Sequence, residues 1–175
     1  MGIDEPLGLK RRTVIIRAYD ERWPLLYDEE AAQIRAVLGE FALDVQHVGS
    51  TSVMGLAAKP ILDIAVGVAA LSDVERCKVP LAAIGYEYAY WAGVDDNHVF
   101  GKGIERTHLI HVVEFGSDIW KNYIKFRDAL RANEELRRKY ESLKTELAIR
   151  FAKNRAAYTD AKGEFIQRVL AGNNV

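Results

Sequence analysis

Gly49, Ser50 and Thr51 follow a segment patterned as a strand, Lys59 lies eight residues further on, and Asp63 interrupts the otherwise apolar run 61–68. A Gly-Ser pair at a strand end suits an anion. Glycine accepts the required turn and has no Cβ to block approach, so backbone N–H groups and hydroxyls reach a phosphate. Lys59 adds a positive point charge beside them. A carboxylate inside an apolar strand is costly to bury alone, so Asp63 needs a cation or a hydrogen-bond donor. On the two-residue period of a strand, Asp63 shares its face with Ile61, Ala65 and Gly67, whose small members leave room for a ligand or a metal. Magnesium, which takes oxygen ligands and bridges carboxylate to phosphate, suits that position. The competing reading is a plain Gly/Ser turn, with Asp63 taking a local hydrogen bond.

The elements that must position these residues are legible in the pattern. Residues 13–18 (TVIIRA) read as a strand, and Asp20 with Pro24 starts a helix that reaches about residue 37 and closes at Gly39. Residues 42–48 and 61–68 read as the strands flanking the Gly/Ser loop. Ser72 with Glu75 forms a capping-box pattern for a helix ending before Gly85. Strands follow at 86–91, 99–102 and 108–115, with turn residues including Gly93, Asp95 and Gly103 between them. Their connections are short enough for antiparallel pairing. From Ser117 the apolar spacing turns helical (Ile119, Tyr123, Phe126, Leu130 and onward), which predicts two or three helices over 117–175. The expected architecture is α+β: one domain over 1–175, a mixed β-sheet with packed helices, residues 1–12 as a flexible arm, and a helical C-terminal portion.

Composition removes several functions. The chain has 175 residues, 24 Lys+Arg against 25 Asp+Glu and one cysteine, Cys77. That excludes a disulfide framework and thiolate metal sites, and it points to a reducing, cytoplasmic setting. The near-apolar run 61–71 falls well short of the roughly 20 residues of a spanning helix. Near-neutral charge, with no basic patch interleaved with aromatics, gives no strong nucleic-acid signal. Six further side chains have two readings. His47, beside the loop, either contacts a phosphate or is simply hydrogen-bonded. His111 is either a site residue or a satisfied core histidine. Arg127 with Arg131, and Tyr158 with Lys162, lie four apart on helix faces and either meet an anion or form solvated charged surfaces.

The stretch HVGSTSVMGLAAKPILDIAV (47–66) closely resembles the central motif of the GrpB family, within the nucleotidyltransferase superfamily that includes DNA polymerase β and kanamycin nucleotidyltransferase. THLIHVVE (107–114), FRDALR (126–131), YESLKTELA (140–148) and AYTDAKGEFI (157–166) extend the resemblance over nearly the whole chain. It implies a nucleotidyltransferase-type sheet, Gly49 and Ser50 in a nucleotide-phosphate loop, and Asp63 as the metal-binding, catalytic carboxylate. It also raises Arg127, Lys144 and Lys162 as the opposite, phosphate-binding wall, with Tyr158 accessory. The chain departs from the superfamily where a second carboxylate is usual two residues after the first: that position is Ala65. Glu114 on the strand 108–115 is one possible replacement, although it shares a face with His108 and not with His111. The resemblance therefore implies a protein that binds a nucleotide or phosphorylated small molecule with Mg²⁺ and transfers a nucleotidyl group. The alternative is a non-catalytic nucleotide or phosphate-binding module that has lost the second carboxylate. Some relatives are joined to dephospho-coenzyme A kinase, which adds coenzyme A metabolites to the ligands worth testing.

Overall fold

The computed structural model describes residues 7–90 and 96–173. In chain order they form α1 (Trp23–Leu38), β1 (Asp44–Val48), β2 (Leu62–Val68), α2 (Val74–Ala83), β3 (Tyr86–Tyr88), β4 (His98–Lys102), β5 (His108–Glu114), α3 (Asp118–Ala132), α4 (Glu134–Arg150), α5 (Arg155–Ala161) and α6 (Gly163–Leu170). The strands make one sheet in the order β1-β2-β5-β4-β3. The β2–β5 pair is parallel, and the other pairs are antiparallel. The α+β class, the mixed sheet and the helical C-terminal portion are as the sequence predicts.

β2 is apolar on both faces because helices cover both. Ile64, Val66 and Val68 pack with Ile110, Val112 and residues of α1 and α2. On the other face Ala65 joins Val48, Val113 and Trp120 of α3. Gly67 is needed there, since a Cβ would lie 2.9 Å from Phe115 Cδ2 and 3.2 Å from Trp120 Cζ3. α1 begins with Pro24 in its first turn and ends at Gly39, with Trp23, Ala31, Ile34 and Leu38 turned inward. The later helices are bounded by Ser117, Asn133 and Asn154, whose side chains accept from Trp120 N, Leu136 N and Ala157 N. These caps begin three helices, and α6, which starts after Lys162 without a side-chain cap, makes four where the spacing predicts two or three.

Several boundaries differ from expectation for physical reasons. Residues 13–18 are a strap across the helical layer and form no strand of the sheet. Val14 N donates to Ala152 O at 2.9 Å, and Arg17 and Ala58 exchange backbone hydrogen bonds at 2.8 and 2.9 Å. Val14 is buried against Leu147, Ala148 and Tyr158. Their β-branched composition thus reports an extended, buried chain without specifying a sheet partner. Ser72 lies within a 3₁₀ turn, Leu71–Asp73, and α2 begins after it without a side-chain cap. The arm is pinned from Gly8, whose N–H donates to Pro60 O at 2.8 Å, and Leu9 exchanges hydrogen bonds with Arg106. Residues 1–6 lie outside the described residues, as do Trp91, Gly93 and Asp95. β3 ends at Tyr88, short of the predicted 86–91. Among the described residues no helix is long and apolar enough to cross a membrane.

Candidate functional site

Val48, the last residue of β1, pairs with Asp63 of β2, so the chain leaves the sheet at Gly49 directly beside the carboxylate. Gly49 has φ +68°, and a Cβ there would lie 2.7 Å from Asp63 Oδ2. Glycine is required both for the conformation and for the approach. Ser50–Ser52 form one 3₁₀ turn. α3 holds this corner from outside: Arg131 Nε and Nη2 donate to Ser52 O at 3.1 and 2.7 Å, and Arg127 Nη1 donates to Gln46 Oε1 at 2.8 Å and His47 O at 3.0 Å.

Register decides which face of β5 meets Asp63. Asp63 pairs with Leu109 and Ala65 with His111, placing His111 on the Asp63 face. His111 Nε2 is 3.4 Å from Asp63 Oδ1, Tyr123 OH is 3.1 Å from His111 Nδ1, and Asn97 Nδ2 donates to Tyr123 OH at 2.9 Å. In one histidine tautomer the donors run in a single line from Asn97 through Tyr123 and His111 to Asp63.

A cavity of about 1220 Å³ opens in front of this line, above the roughly 300–1,000 Å³ of ordinary small-molecule pockets. Gly49, Ser50, Thr51, Lys59, Asp63, His111, Lys144, Tyr158 and Lys162 all border it, so most of the residues picked out from the sequence converge. Three do not, and their expected roles are corrected. Arg127 is buried and occupied with Gln46, His47 and Asp128. It is a clamp on β1, not a wall of the cavity. His47 is buried, stacked on Tyr27 and bonded through Nε2 to Thr51 Oγ1 at 3.0 Å. Burial pushes its pKa down to about 4, so it carries no charge to offer a phosphate at neutral pH. Glu114 is exposed at the far end of β5, on the parity opposite to His111, and supplies no second carboxylate. The Thr51 hydroxyl, although at the cavity border, is turned to His47.

The cations are concentrated here. Among the described residues the cavity is bordered by eight lysine and arginine side chains and by two carboxylates, Asp63 and Asp160, in a chain whose formal net charge is −1. Lys59 Nζ and Lys162 Nζ lie 5.1 and 4.6 Å from the centroid of one ring, Tyr158. Lys144, only 1% exposed, donates from Nζ to Ala57 O and lies 5.0 Å from the Tyr140 ring centroid. Arg155 is the residue that sequence reasoning missed. It precedes Tyr158 by three positions, on the face that Tyr158 and Lys162 already define, and that spacing was the available signal. Among the described residues, no carboxylate lies within ion-pair distance of Lys59, Arg155 or Lys162.

Burial and mutual repulsion tune these groups. Desolvation, then the neighbouring Lys162 charge, lowers Lys59 to about 7 and Lys144 to about 7. Desolvation lowers Lys162 to about 8 against the attraction of Asp63. Burial works against the Asp63 carboxylate, but the His111 hydrogen bond and the Lys59 and Arg155 charges outweigh it and hold its pKa below the usual value. Burial raises the Tyr158 phenol.

The donor set does not fit a protein-built magnesium site. Ala65 is packed in the core and Glu114 points elsewhere. Among the described residues no three His, Cys, Asp or Glu side chains are grouped to hold one ion. A two-metal clamp would need carboxylates to hold both ions, and among the described residues Asp63 is the one carboxylate that the sheet turns to the cavity.

Residues 13–172 match the family model described as GrpB protein. The chain is 38% identical over 170 residues to the glutamate-rich protein GrpB of Alkalihalophilus pseudofirmus, covering 94% of this chain and 98% of that one. The crystal structure of conserved protein GrpB from Enterococcus faecalis superposes with a TM-score of 0.82 at 34% identity, over 90% of this chain and 96% of that one. A dephospho-CoA kinase of Mycolicibacterium paratuberculosis matches only 70 residues at 36% identity, 38% of this chain and 17% of that one.

Proposed function

The chain belongs to the GrpB family, and from that membership and its cationic cavity we propose that it binds a nucleotide or another phosphorylated small molecule, without transferring a nucleotidyl group. The observation that carries the reading is a set of cations with no carboxylate at ion-pair distance among the described residues, Lys59 and Lys162 over the Tyr158 ring and Arg155 three residues before it, bordering one cavity with Asp63 and Gly49. A half-buried cation without a partner is costly, and a phosphate oxygen satisfies it with a charge-assisted hydrogen bond. Gly49 and Ser50 border the same space, and the cavity holds a ligand of nucleotide size. The partial match to a dephospho-CoA kinase places coenzyme A precursors among the ligands to test.

Transfer chemistry asks for metal held between carboxylates, and among the described residues the sheet turns Asp63 to the cavity without a second carboxylate beside it, already bonded to His111. In the binding reading Asp63 orients His111 and balances part of the cationic charge. The two readings give Asp63→Asn opposite signs. A ligand from a thermal-shift panel of nucleotides, coenzyme A precursors and sugar phosphates, titrated calorimetrically in EDTA, should bind the variant as tightly as wild type or up to about fivefold tighter. Loss of one carboxylate near the phosphate removes a repulsion on the order of 1 kcal/mol. Binding that appears only with Mg²⁺ and disappears in Asp63→Asn would instead establish a metal-nucleotide site.

A further inference from the structure

We propose that the ligand presents two or more linked phosphates to Lys59, Lys144, Arg155 and Lys162, and that these side chains take the place of Mg²⁺ as its counter-ions. The inference rests on the phosphorylated-ligand reading above and narrows it to a chemical class. Charge decides the number of phosphates. Eight lysine and arginine side chains border the cavity against Asp63 and Asp160, so even with Lys59 and Lys144 about half protonated at pH 7 and Glu87 paired with Arg11 and Arg106, more than two positive charges are left for a ligand to neutralise. A single phosphate monoester brings at most about two. A diphosphate or longer chain brings enough, and its oxygens are distributed along a line.

Two aromatic rings space the ammonium groups along the cavity border. Two ammonium groups sit over one ring, 5.1 and 4.6 Å from its centroid, and a third sits over the Tyr140 ring at 5.0 Å. The aromatic faces hold the lysine stems apart from carboxylates while leaving their donors toward the cavity. Lys144 has one of its three donors committed to Ala57 O, and Arg155 contributes a planar fork able to contact two oxygens. The mutual repulsion that lowers Lys59 and Lys144 is relieved when an anion enters. A divalent cation brought in with the phosphates meets the same repulsion.

Calorimetric titration of the full chain with sodium tripolyphosphate, pyrophosphate and orthophosphate, at physiological ionic strength, tests the class directly. In EDTA, tripolyphosphate and pyrophosphate should each bind at least about tenfold tighter than orthophosphate, and millimolar Mg²⁺ should weaken binding by sequestering the phosphates. Lys162→Gln should lose at least about tenfold of the tripolyphosphate affinity, the loss of one charge-assisted hydrogen bond. Arg76→Gln, exposed on α2 across the sheet from the cavity, should lose none, which separates a built site from general attraction, and an unchanged melting profile shows that Lys162→Gln is folded. Equal affinity for orthophosphate, binding only with Mg²⁺, or equal losses in the two variants would overturn the proposal. Nucleoside monophosphates and sugar phosphates are titrated alongside. If they bind and the linked phosphates do not, this inference fails while the broader reading stands; if nothing binds, both fail.

Discussion

Replacing Lys59 and Lys162 together by methionine should abolish measurable binding of a phosphorylated ligand while making the ligand-free protein more stable. Each ammonium supplies a charge-assisted hydrogen bond worth about 1.5–3 kcal/mol, so the pair accounts for about 10²-fold in affinity or more. Methionine keeps the unbranched stem against Tyr158 but removes a half-buried charge that has no carboxylate partner. The gain should appear as a rise of roughly 2–4 °C in melting temperature per kcal/mol at pH 7. Stability against pH supplies the sign. Lys59 and Lys144 titrate at about 7 and Lys162 at about 8 in the folded chain, against roughly 10.4 in an unfolded one. Between those values the unfolded chain holds protons that the folded chain lacks, so wild-type stability rises as pH increases from about 7 toward 10, and the full penalty is present below that window. The double variant should keep only the part of that rise due to Lys144. Guanidinium melts from pH 6 to 10 measure it, and a wild-type stability that falls with pH across the window would contradict the assignment. Gain in stability with loss of ligand is the signature of a site maintained for function.

Gly49→Ala should be the most damaging single substitution at the loop, destabilising the protein by about 2–4 kcal/mol. Its φ of +68° and ψ of −172° lie in a region accessible essentially to glycine alone, which costs other residues about 1–3 kcal/mol. The added Cβ would also meet Asp63 Oδ2 at 2.7 Å and Asp63 Cβ at 3.0 Å, and relief requires the carboxylate to move away from His111. Gly55→Ala separates the two contributions. Gly55 also has positive φ, at +76°, but nothing lies within 4 Å of its added Cβ, so its cost should stay near 1 kcal/mol. Urea midpoints for the two variants measure the difference. Equal losses would show that the approach to Asp63 carries no energy.

What the sequence reveals of this site follows from what period and composition encode. The apolar run of β2 with one aspartate is readable because a centrally buried strand must be apolar, and an exception there needs a partner. The identity of the partner is not readable. Alternation along β5 separates His111 from Glu114, but only the parallel register with β2 shows that the histidine face is the one turned to Asp63. That pairing depends on β3 and β4 being placed outside β5, a long-range choice that no local pattern states. Arg127 shows the limit of helix-face reasoning. A cation four residues from another reads the same whether it meets a ligand or, as here, the carbonyl of His47. Arg155 shows the converse limit: it opens α5 right after the Asn154 cap, where a cation reads as the exposed start of a helix although it shares the face of Tyr158 and Lys162. Residues 13–18 read as a strand because an extended buried strap has the same composition.

The central claim is that these cations form a binding site for phosphorylated ligands that needs no metal, and the most direct test is thermal denaturation in EDTA across nucleotides, coenzyme A precursors and sugar phosphates. Any ligand that binds only the folded chain must raise its apparent stability by mass action. The expected result is a concentration-dependent rise for at least one phosphorylated compound with wild type and none with the Lys59→Met, Lys162→Met protein. No rise with any compound, or an equal rise in the double variant, would contradict the account.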